Sequence, residues 1–209
     1  MNKQSYLDAD MLRKECDECI ALLNSDIADI DAVSENIRKV IVEDGFLGEI
    51  ANALRAELDR YFAIFEMLKE ADRLDINDYN VLRNRVSKSY DGDLICSSFE
   101  RARRDRDDYQ GKADNERRLA ASFNTERITV LPNGTIIKEY ISNPHEASAA
   151  MYQGMADDCQ AEMNMWQAKM DEFDAIEAET SGLFAAGESK RSLAKAGLVA
   201  INKTYISQS

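Results

Sequence analysis

Two cysteines three residues apart are the first place where this sequence could do chemistry. Cys16 and Cys19 form a C-x-x-C pair, a spacing found in redox-active thiols and in metal sites. The same spacing fits one face of a helix within "LRKECDECIALL". The adjacent acids Glu15, Asp17 and Glu18 disfavour a thiolate, and no second C-x-x-C occurs. We therefore interpret both cysteines as core residues and predict no metal site.

The usual signatures of catalysis are missing from the 209 residues. The sequence contains no G-x-x-x-x-G-K-S/T, no G-x-S-x-G and no H-E-x-x-H. His145 is the one histidine, which excludes a di-iron bundle built on Glu-x-x-His pairs. No partnered nucleophile accompanies it. We predict that the chain is not an enzyme, with no catalytic residues and no cofactor. The alternative, an enzyme that uses the cysteines or a metal, is the least favoured of the three hypotheses considered for this chain.

The charge balance limits the classes of partner. There are 26 basic and 39 acidic residues, a net charge of -13 that repels phosphate backbones and anionic lipid. No run of 18 apolar residues occurs, so membrane insertion is not expected. The start "MNKQSYLDAD" has no apolar segment, so no cleavable signal peptide is predicted.

Long apolar stripes predict the fold. Steps of three and four residues predict a helix over 7–43, on the order of 50 Å long, and a second over 47–73. Similar patterns predict helices from Leu94 to Phe123 and from Pro144 onward. With only 2 prolines and 9 glycines, we predict an all-α fold: an elongated bundle of long antiparallel helices in a single domain over 1–209.

Glycines and polar caps predict where the helices are interrupted. A helical corner is expected at Asp44-Gly45 and Gly48. Asn77 or Asp78 is predicted to cap a separate short helix. "TSGLFAAGESKRS" is expected to break the last long helix around its two glycines, before a short final helix, "LAKAGLVAI".

One passage has the pattern of strands. "RITVLPNGTIIKEYI" places two β-branched runs around Asn133-Gly134, the strongest short signal for a hairpin. We predict a small β-hairpin near 128–141. An isolated two-stranded ribbon is marginal in water, so it must lie on a helix or pair with a partner's edge.

A set of motifs recurs in a recognisable order. A long amphipathic helix leads to the triplet Phe46-Leu47-Gly48, and Tyr61-Phe62 follows in the next helix. The end of the chain reads "MDEFDAIEAETSGLFAAGESKRSLAKAGLVAI", with Phe173, Leu183 and Phe184 at spaced positions. This order resembles the LXG domain, the N-terminal targeting module of polymorphic toxins exported by type VII secretion in Gram-positive bacteria. The triplet departs from the family's usual pattern by having Phe in place of the first Leu.

The resemblance implies a function. LXG domains bind small α-helical WXG-like proteins and direct an attached antibacterial toxin to the secretion machinery, in interbacterial competition. The protein would be made in the cytoplasm and exported without a cleavable signal peptide, and the toxin domain would lie outside these 209 residues. The motif residues would shape the fold.

Partner binding is predicted on the apolar stripes of the first and last long helices. The residues predicted for docking are Ile27, Ile30, Ile37, Met155, Met163 and Trp166. A stripe of Met and Trp serves as an adaptable binding surface or as core. The alternative function is a self-associating coiled-coil scaffold or homodimer, whose stripes bury against a second copy.

Overall fold

The protein is built from long helices and one small hairpin. A computed structural model describes residues 1–42 and 48–206. Its helices are α1 (Ala9–Val42), α2 (Glu49–Arg85), α3 (Gly92–Ser122), α4 (Pro144–Thr180) and α5 (Ala185–Ile206). Its strands are β1 (Tyr6–Leu7), β2 (Tyr90–Asp91), β3 (Glu126–Val130) and β4 (Ile136–Tyr140). The predicted all-α helical bundle with a small hairpin is confirmed.

The chain folds as two compact units. Unit 1 comprises Met1–Tyr6 and Tyr90–Ala175, and unit 2 comprises Leu7–Ser89 and Ile176–Ser209. The predicted targeting domain over 1–209 therefore contains two units, and its identity as one functional domain stays a prediction. None of the helices in the described ranges is both long and apolar enough to cross a membrane.

In unit 2, α1 and α5 both pack against α2. The α2–α5 core cluster consists of Ile64, Ala194 and Ile201, all buried. Four partly buried apolar residues pack around it: Tyr61, Met67, Leu68 and Leu198. Burial of such side chains removes apolar surface from water, which is the main favourable term in folding.

A pair of buried acids links α2 to α5. Arg191 donates to Asp72 at 2.8 Å and to Asp75 at 2.6 Å, and both carboxylates are buried. One turn earlier on α5, Gly187 is buried against the same place. A Cβ there would overlap the Asp75 carboxylate and lie 3.1 Å from the carbonyl oxygen of Ala71. The glycine thus permits a close approach of α5 to α2.

Two predicted helix interruptions differ from the structure for the same reason: one does not exist, and the other, confirmed between Thr180 and Ala185, does not extend to Gly187. No separate helix starts at Asn77 or Asp78, because α2 is continuous to Arg85. The Asp78 carboxylate accepts the backbone N–H of Phe184 at 2.7 Å, a tertiary bond instead of a cap. Likewise Gly187 lies inside α5, where it contacts α2 and does not end a helix. Local residue preference was outweighed by contacts made far along the chain.

In unit 1, α3 contacts the part of α4 up to Ala175 in antiparallel order. Arg106 donates to Gln160 at 2.9 Å, and nearer the connection Arg117 donates to Gln153 at 2.6 Å. The small residues Ala102, Ala113, Ala149 and Ala156 are buried on these two helices. At the start of α3, the Asp91 carboxylate accepts the Leu94 N–H and caps the helix.

The hairpin lies between α3 and α4 in the sequence. β3 and β4 are antiparallel, with Ile128 opposite Lys138 at the centre. Gly134 has φ of +84° in the connecting turn, a left-handed conformation that glycine adopts without strain. The strands span 126–140, close to the predicted 128–141.

Candidate protein-binding surfaces

Helix α1 lies antiparallel to α2 in unit 2. Arg83 of α2 pairs with Asp17 at 3.2 Å. Further along α1, Asp31 accepts from Lys69 of α2 at 2.7 Å. That hydrogen bond lowers the pKa of Asp31, and bonds to Asp31 and Glu66 raise the pKa of Lys69. These ion pairs fix which side of α1 faces its neighbour.

The predicted docking isoleucines lie on the buried stripe of α1. Cys16 and Ser34 of this stripe are buried. Ile27, Ile30 and Ile37 continue it at steps of three and four residues, and each is half-buried. They are partly covered within unit 2, so only part of each side chain is available to a partner.

A second side of α1, roughly 100° around the helix from that stripe, carries exposed apolar residues at a regular interval. Met11, Leu22 and Val33 are exposed and follow one another every eleven residues, which is about three helical turns. Acidic residues, also exposed, fill the steps between them. The α1 outer face is defined by Met11, Glu15, Glu18, Leu22, Asp26, Asp29 and Val33.

Sequence reasoning missed the α1 outer face. The isoleucine stripe drew attention because it is continuous, whereas Met11, Leu22 and Val33 stand alone among charges. Their eleven-residue spacing is the signal that could have found them, because eleven residues return a helix to nearly the same angle. A continuous apolar stripe along a helix predicts a buried side, and in α1 the isoleucine stripe is the side that unit 2 covers.

Helix α4 also has an exposed apolar stripe within unit 1. Met151, Met155 and Met165 are exposed. Asp158 and Glu162 occupy the intervening steps of three and four residues. We define these five residues as the α4 outer face. The predicted docking residue Met155 belongs to it.

The other two predicted residues of α4 have different surroundings. Met163 is 7% exposed, so it contributes to packing and offers almost no surface to a partner. Trp166 is half-buried; its ring N–H donates to Glu162 at 3.2 Å. The Lys169 ammonium lies 4.1 Å from the centre of the Trp166 ring, a cation–π contact. The tryptophan is thus held by its own helix.

The motif triplet falls partly outside the described residues. Phe46 and Leu47 lie there, so their predicted role stays a prediction. Gly48 precedes α2 with φ of +106°, and among residues 1–42 and 48–206 a Cβ at this position would meet nothing within 4 Å. The positive φ therefore accounts for a glycine at this position, because glycine adopts it without strain.

Three aromatic motif residues have defined packing. Tyr61 contacts the α2–α5 core cluster. The Phe62 ring lies edge-on to Phe65, with ring centres 6.4 Å apart. In unit 1, Phe173 is edge-on to buried Tyr90 at 5.7 Å. Such pairs add to the stability gained by burial, which fits the predicted role of these residues in the fold.

The last motif residues form the turn between α4 and α5. The Leu183 N–H donates to the Thr180 carbonyl at 3.1 Å. Phe184 has φ of +68°, uncommon for a residue with a side chain. The centre of its ring lies 4.6 Å from the centre of the Tyr79 ring, and its backbone N–H donates to the Asp78 carboxylate. Two contacts with α2 therefore hold Phe184 in a costly conformation.

The four cysteines lie on helices and form no disulfide. Cys16, Cys19, Cys96 and Cys159 are free thiols. Burial raises the pKa of Cys16, and the nearby Cys19 and acidic residues add to the effect. A hydrogen bond with Cys19, together with burial, raises the pKa of Tyr79 to about 12. Within 1–42 and 48–206, no group of three or more His, Cys, Asp or Glu side chains could hold a metal ion.

Comparison with known proteins finds no relative of this chain. No family model matches the sequence, and no curated protein or solved structure matches it significantly. The resemblance to LXG domains therefore stays a prediction from the motif residues.

Proposed function

We propose that this chain is a non-catalytic targeting domain that binds small α-helical WXG-like proteins and directs an attached antibacterial toxin to type VII secretion. The observation that carries the proposal is the α1 outer face. Three exposed apolar residues recur at a helical interval, and acidic side chains separate them. This pattern favours a second helix lying along α1.

The proposed partner helix has a definite chemistry. Its apolar side chains would cover Met11, Leu22 and Val33, and its basic side chains would lie beside the intervening acids. Covering one leucine fully contributes about 1.5–3 kcal/mol, so a few such contacts are enough for a specific complex. Opposite charges would speed association and select against acidic partners.

The α4 outer face supports a second contact of the same kind. Met151, Met155 and Met165 are flexible and polarizable side chains, which adapt to varied helical surfaces. Asp158 and Glu162 again supply acidic neighbours. Two outer faces, one in each unit, are in keeping with an adaptor that binds more than one small helical protein.

Substitution of Leu22 tests the proposal. The protein is co-expressed with a small α-helical WXG-like protein, and affinity is measured by calorimetry. We expect Leu22→Arg to weaken binding about tenfold or more and to reduce export of the attached toxin, because it places a charge in the apolar contact. Leu22 is 66% exposed, so folding should be unaffected.

A leucine elsewhere in unit 2 provides the matched control. Leu193 of α5 is 58% exposed, and Leu193→Arg should leave binding and export unchanged. Charged substitutions at Ile30 and Trp166 extend the test to the residues predicted from sequence. If all three docking variants stay folded and keep wild-type binding and export, the proposed function is wrong.

A further inference from the structure

The β3–β4 hairpin is an exposed apolar segment in unit 1. Every residue from 127 to 142 is exposed, including seven large apolar side chains. These are Ile128, Val130, Leu131, Ile136, Ile137, Tyr140 and Ile141. A two-stranded ribbon with no covered face is marginally stable in water, and additional strands stabilise it.

The most exposed of these residues share one face of the ribbon. Val130 is opposite Ile136, and Ile128 and Tyr140 lie on the same face by alternation along the strands. A Glu126–Lys138 ion pair of 3.9 Å occupies the remainder of that face. We call Ile128, Val130, Ile136 and Tyr140 the hairpin face.

The register also determines which backbone groups point outward. Leu131 N–H donates to the Thr135 carbonyl, and Ile141 N–H donates to the Thr125 carbonyl. Because hydrogen-bonded pairs alternate along an antiparallel ladder, the odd-numbered residues bond within the hairpin. Residues 126, 128 and 130 of β3 therefore direct their N–H and C=O groups away from β4, as an unpaired strand edge.

We propose that the β3 edge pairs with the β3 edge of a second copy of this chain, antiparallel and centred on Ile128. The product is a four-stranded sheet in which the two hairpin faces become continuous. About six backbone hydrogen bonds join the two copies, two for each hydrogen-bonded residue pair.

The side chains of β3 are compatible with this pairing. Ile128 faces its own copy, and Glu126 faces Val130 of the second chain. Arg127 faces Thr129, so no like charges are directly opposed. The corresponding pairing of β4 would set Lys138 against Lys138, and a lysine at the centre of an edge strand opposes such association.

The charge distribution favours a second copy as the occupant. The chain has a net charge of -13, so two copies repel one another over most of their surfaces. From 125 to 141 the basic residues Arg127 and Lys138 balance the acidic residues Glu126 and Glu139. The hairpin is a neutral, apolar segment where repulsion between copies is low.

Proline substitutions separate the two edges of the hairpin. Ile128 and Ile136 both lie on the hairpin face, are 57% and 63% exposed, and direct their N–H groups outward on β3 and β4 respectively. Ile128→Pro removes an edge donor but no bond within the hairpin. By sedimentation equilibrium, we expect Ile128→Pro to weaken dimerisation about tenfold or more and Ile136→Pro to leave it nearly unchanged.

Three outcomes would overturn the proposal. The first is a wild-type chain that remains monomeric up to about 1 mM, the weak end of specific association. The second is equal weakening by both proline variants, which would assign the contact to the hairpin face and not to the β3 edge. The third is a dimer that neither variant affects, which would assign self-association to the helices. Far-UV circular dichroism checks that both variants remain folded.

Disulfide trapping gives an independent measurement. In the proposed dimer the two Ile128 Cα atoms are about 5.5 Å apart, within the range of a disulfide. The two Ile136 positions are separated by three strand spacings, about 14 Å or more. Mild oxidation should therefore join Ile128→Cys chains several-fold more efficiently than Ile136→Cys chains, with the wild-type chain as the background for its native thiols. Equal trapping of the two variants contradicts the β3 pairing.

Discussion

Helix α2 has two neighbours in unit 2, and the two interfaces are built differently. Its interface with α5 contains an apolar cluster, a close contact at Gly187 of α5, and two buried acids of α2 that pair with Arg191 of α5. At the α1–α2 interface the acids Asp17 and Asp31 are exposed to solvent; Arg83, the partner of Asp17, is also exposed, whereas Lys69, the partner of Asp31, is buried. Solvent-exposed ion pairs contribute little to stability, whereas buried charges must be paired.

This difference distinguishes α5, which mainly stabilises unit 2, from α1, which also offers a surface for the proposed partner. The α2–α5 interface places charges where an unpaired carboxylate would be costly, so substitutions there should damage folding. The α1–α2 interface uses one stripe of α1 and leaves its outer face exposed. A single helix thus combines packing and the proposed partner recognition on two different sides.

The largest expected effect is at Arg191. Arg191→Met leaves Asp72 and Asp75 buried without a cation, which should lower the free energy of unfolding by about 2–3 kcal/mol, a figure reduced because the arginine is partly exposed. Urea unfolding measures the change. Arg83→Met is the control at the α1–α2 interface, where losing an exposed pair should cost about 0–1 kcal/mol. Equal losses in the two variants would remove the distinction between the interfaces.

The next effect concerns two glycines inside helices. Gly187→Ala should destabilise the protein by about 1–2 kcal/mol, because the new methyl group overlaps Asp75 and crowds the Ala71 carbonyl. Gly154→Ala should stabilise it by about 0.5–1 kcal/mol, since Gly154 lies within α4 with open space around it. Thermal unfolding of both variants shows whether each substitution raises or lowers stability relative to the wild type. A stabilising Gly187→Ala would contradict the close approach of α5 to α2.

The smallest effect is a pH dependence of the α1–α2 interface. Burial raises the pKa of Cys16, and the Cys19 hydrogen bond raises the pKa of Tyr79 to about 12. Both groups keep their protons to higher pH when folded than when unfolded, so their stabilising contribution is present below about pH 9–10 and is lost as the pH rises toward 12. Lys69 acts in the same direction.

Removing the Tyr79 hydroxyl tests this dependence. Urea midpoints measured from pH 8 to about 11.5 should fall with pH in the wild type and fall less steeply in Tyr79→Phe. Arg191→Met should retain the wild-type slope, because an arginine stays charged throughout this range. An unchanged slope in Tyr79→Phe would show that the Cys19–Tyr79 contact does not control alkaline stability.

Much of the fold could be predicted from local patterns. The helix predicted over 7–43 corresponds to α1, and Asn133-Gly134 correctly located the hairpin. The errors occurred where a polar or flexible residue serves a distant contact. Asp78 was interpreted as a cap, but it bonds the N–H of Phe184, 106 residues away. A break was predicted around Gly182 and Gly187; α4 does end beside Gly182, but Gly187 lies inside α5 and contacts α2.

The candidate surfaces were less predictable than the fold. Ile27, Ile30 and Ile37 belong to the most continuous apolar stripe of α1. Such a stripe is the side of a helix that packs against its neighbours, and the three side chains are accordingly half-buried. Leu22 appeared to be an isolated apolar residue among acids, yet it lies at the centre of the α1 outer face. The local sequence of α1 does not determine whether a neighbouring helix will cover the isoleucine stripe or the α1 outer face.

The sequence alone determined where the long helices and the hairpin form, because periodicity, glycine and Asn-Gly act over a few residues. Only the tertiary structure decided which sides of those elements are covered. Burial depends on partners distant in sequence, such as Asp75 with Arg191 and Lys69 with Asp31. Each such pair forms only when whole helices align, so neither partner's immediate neighbours encode it.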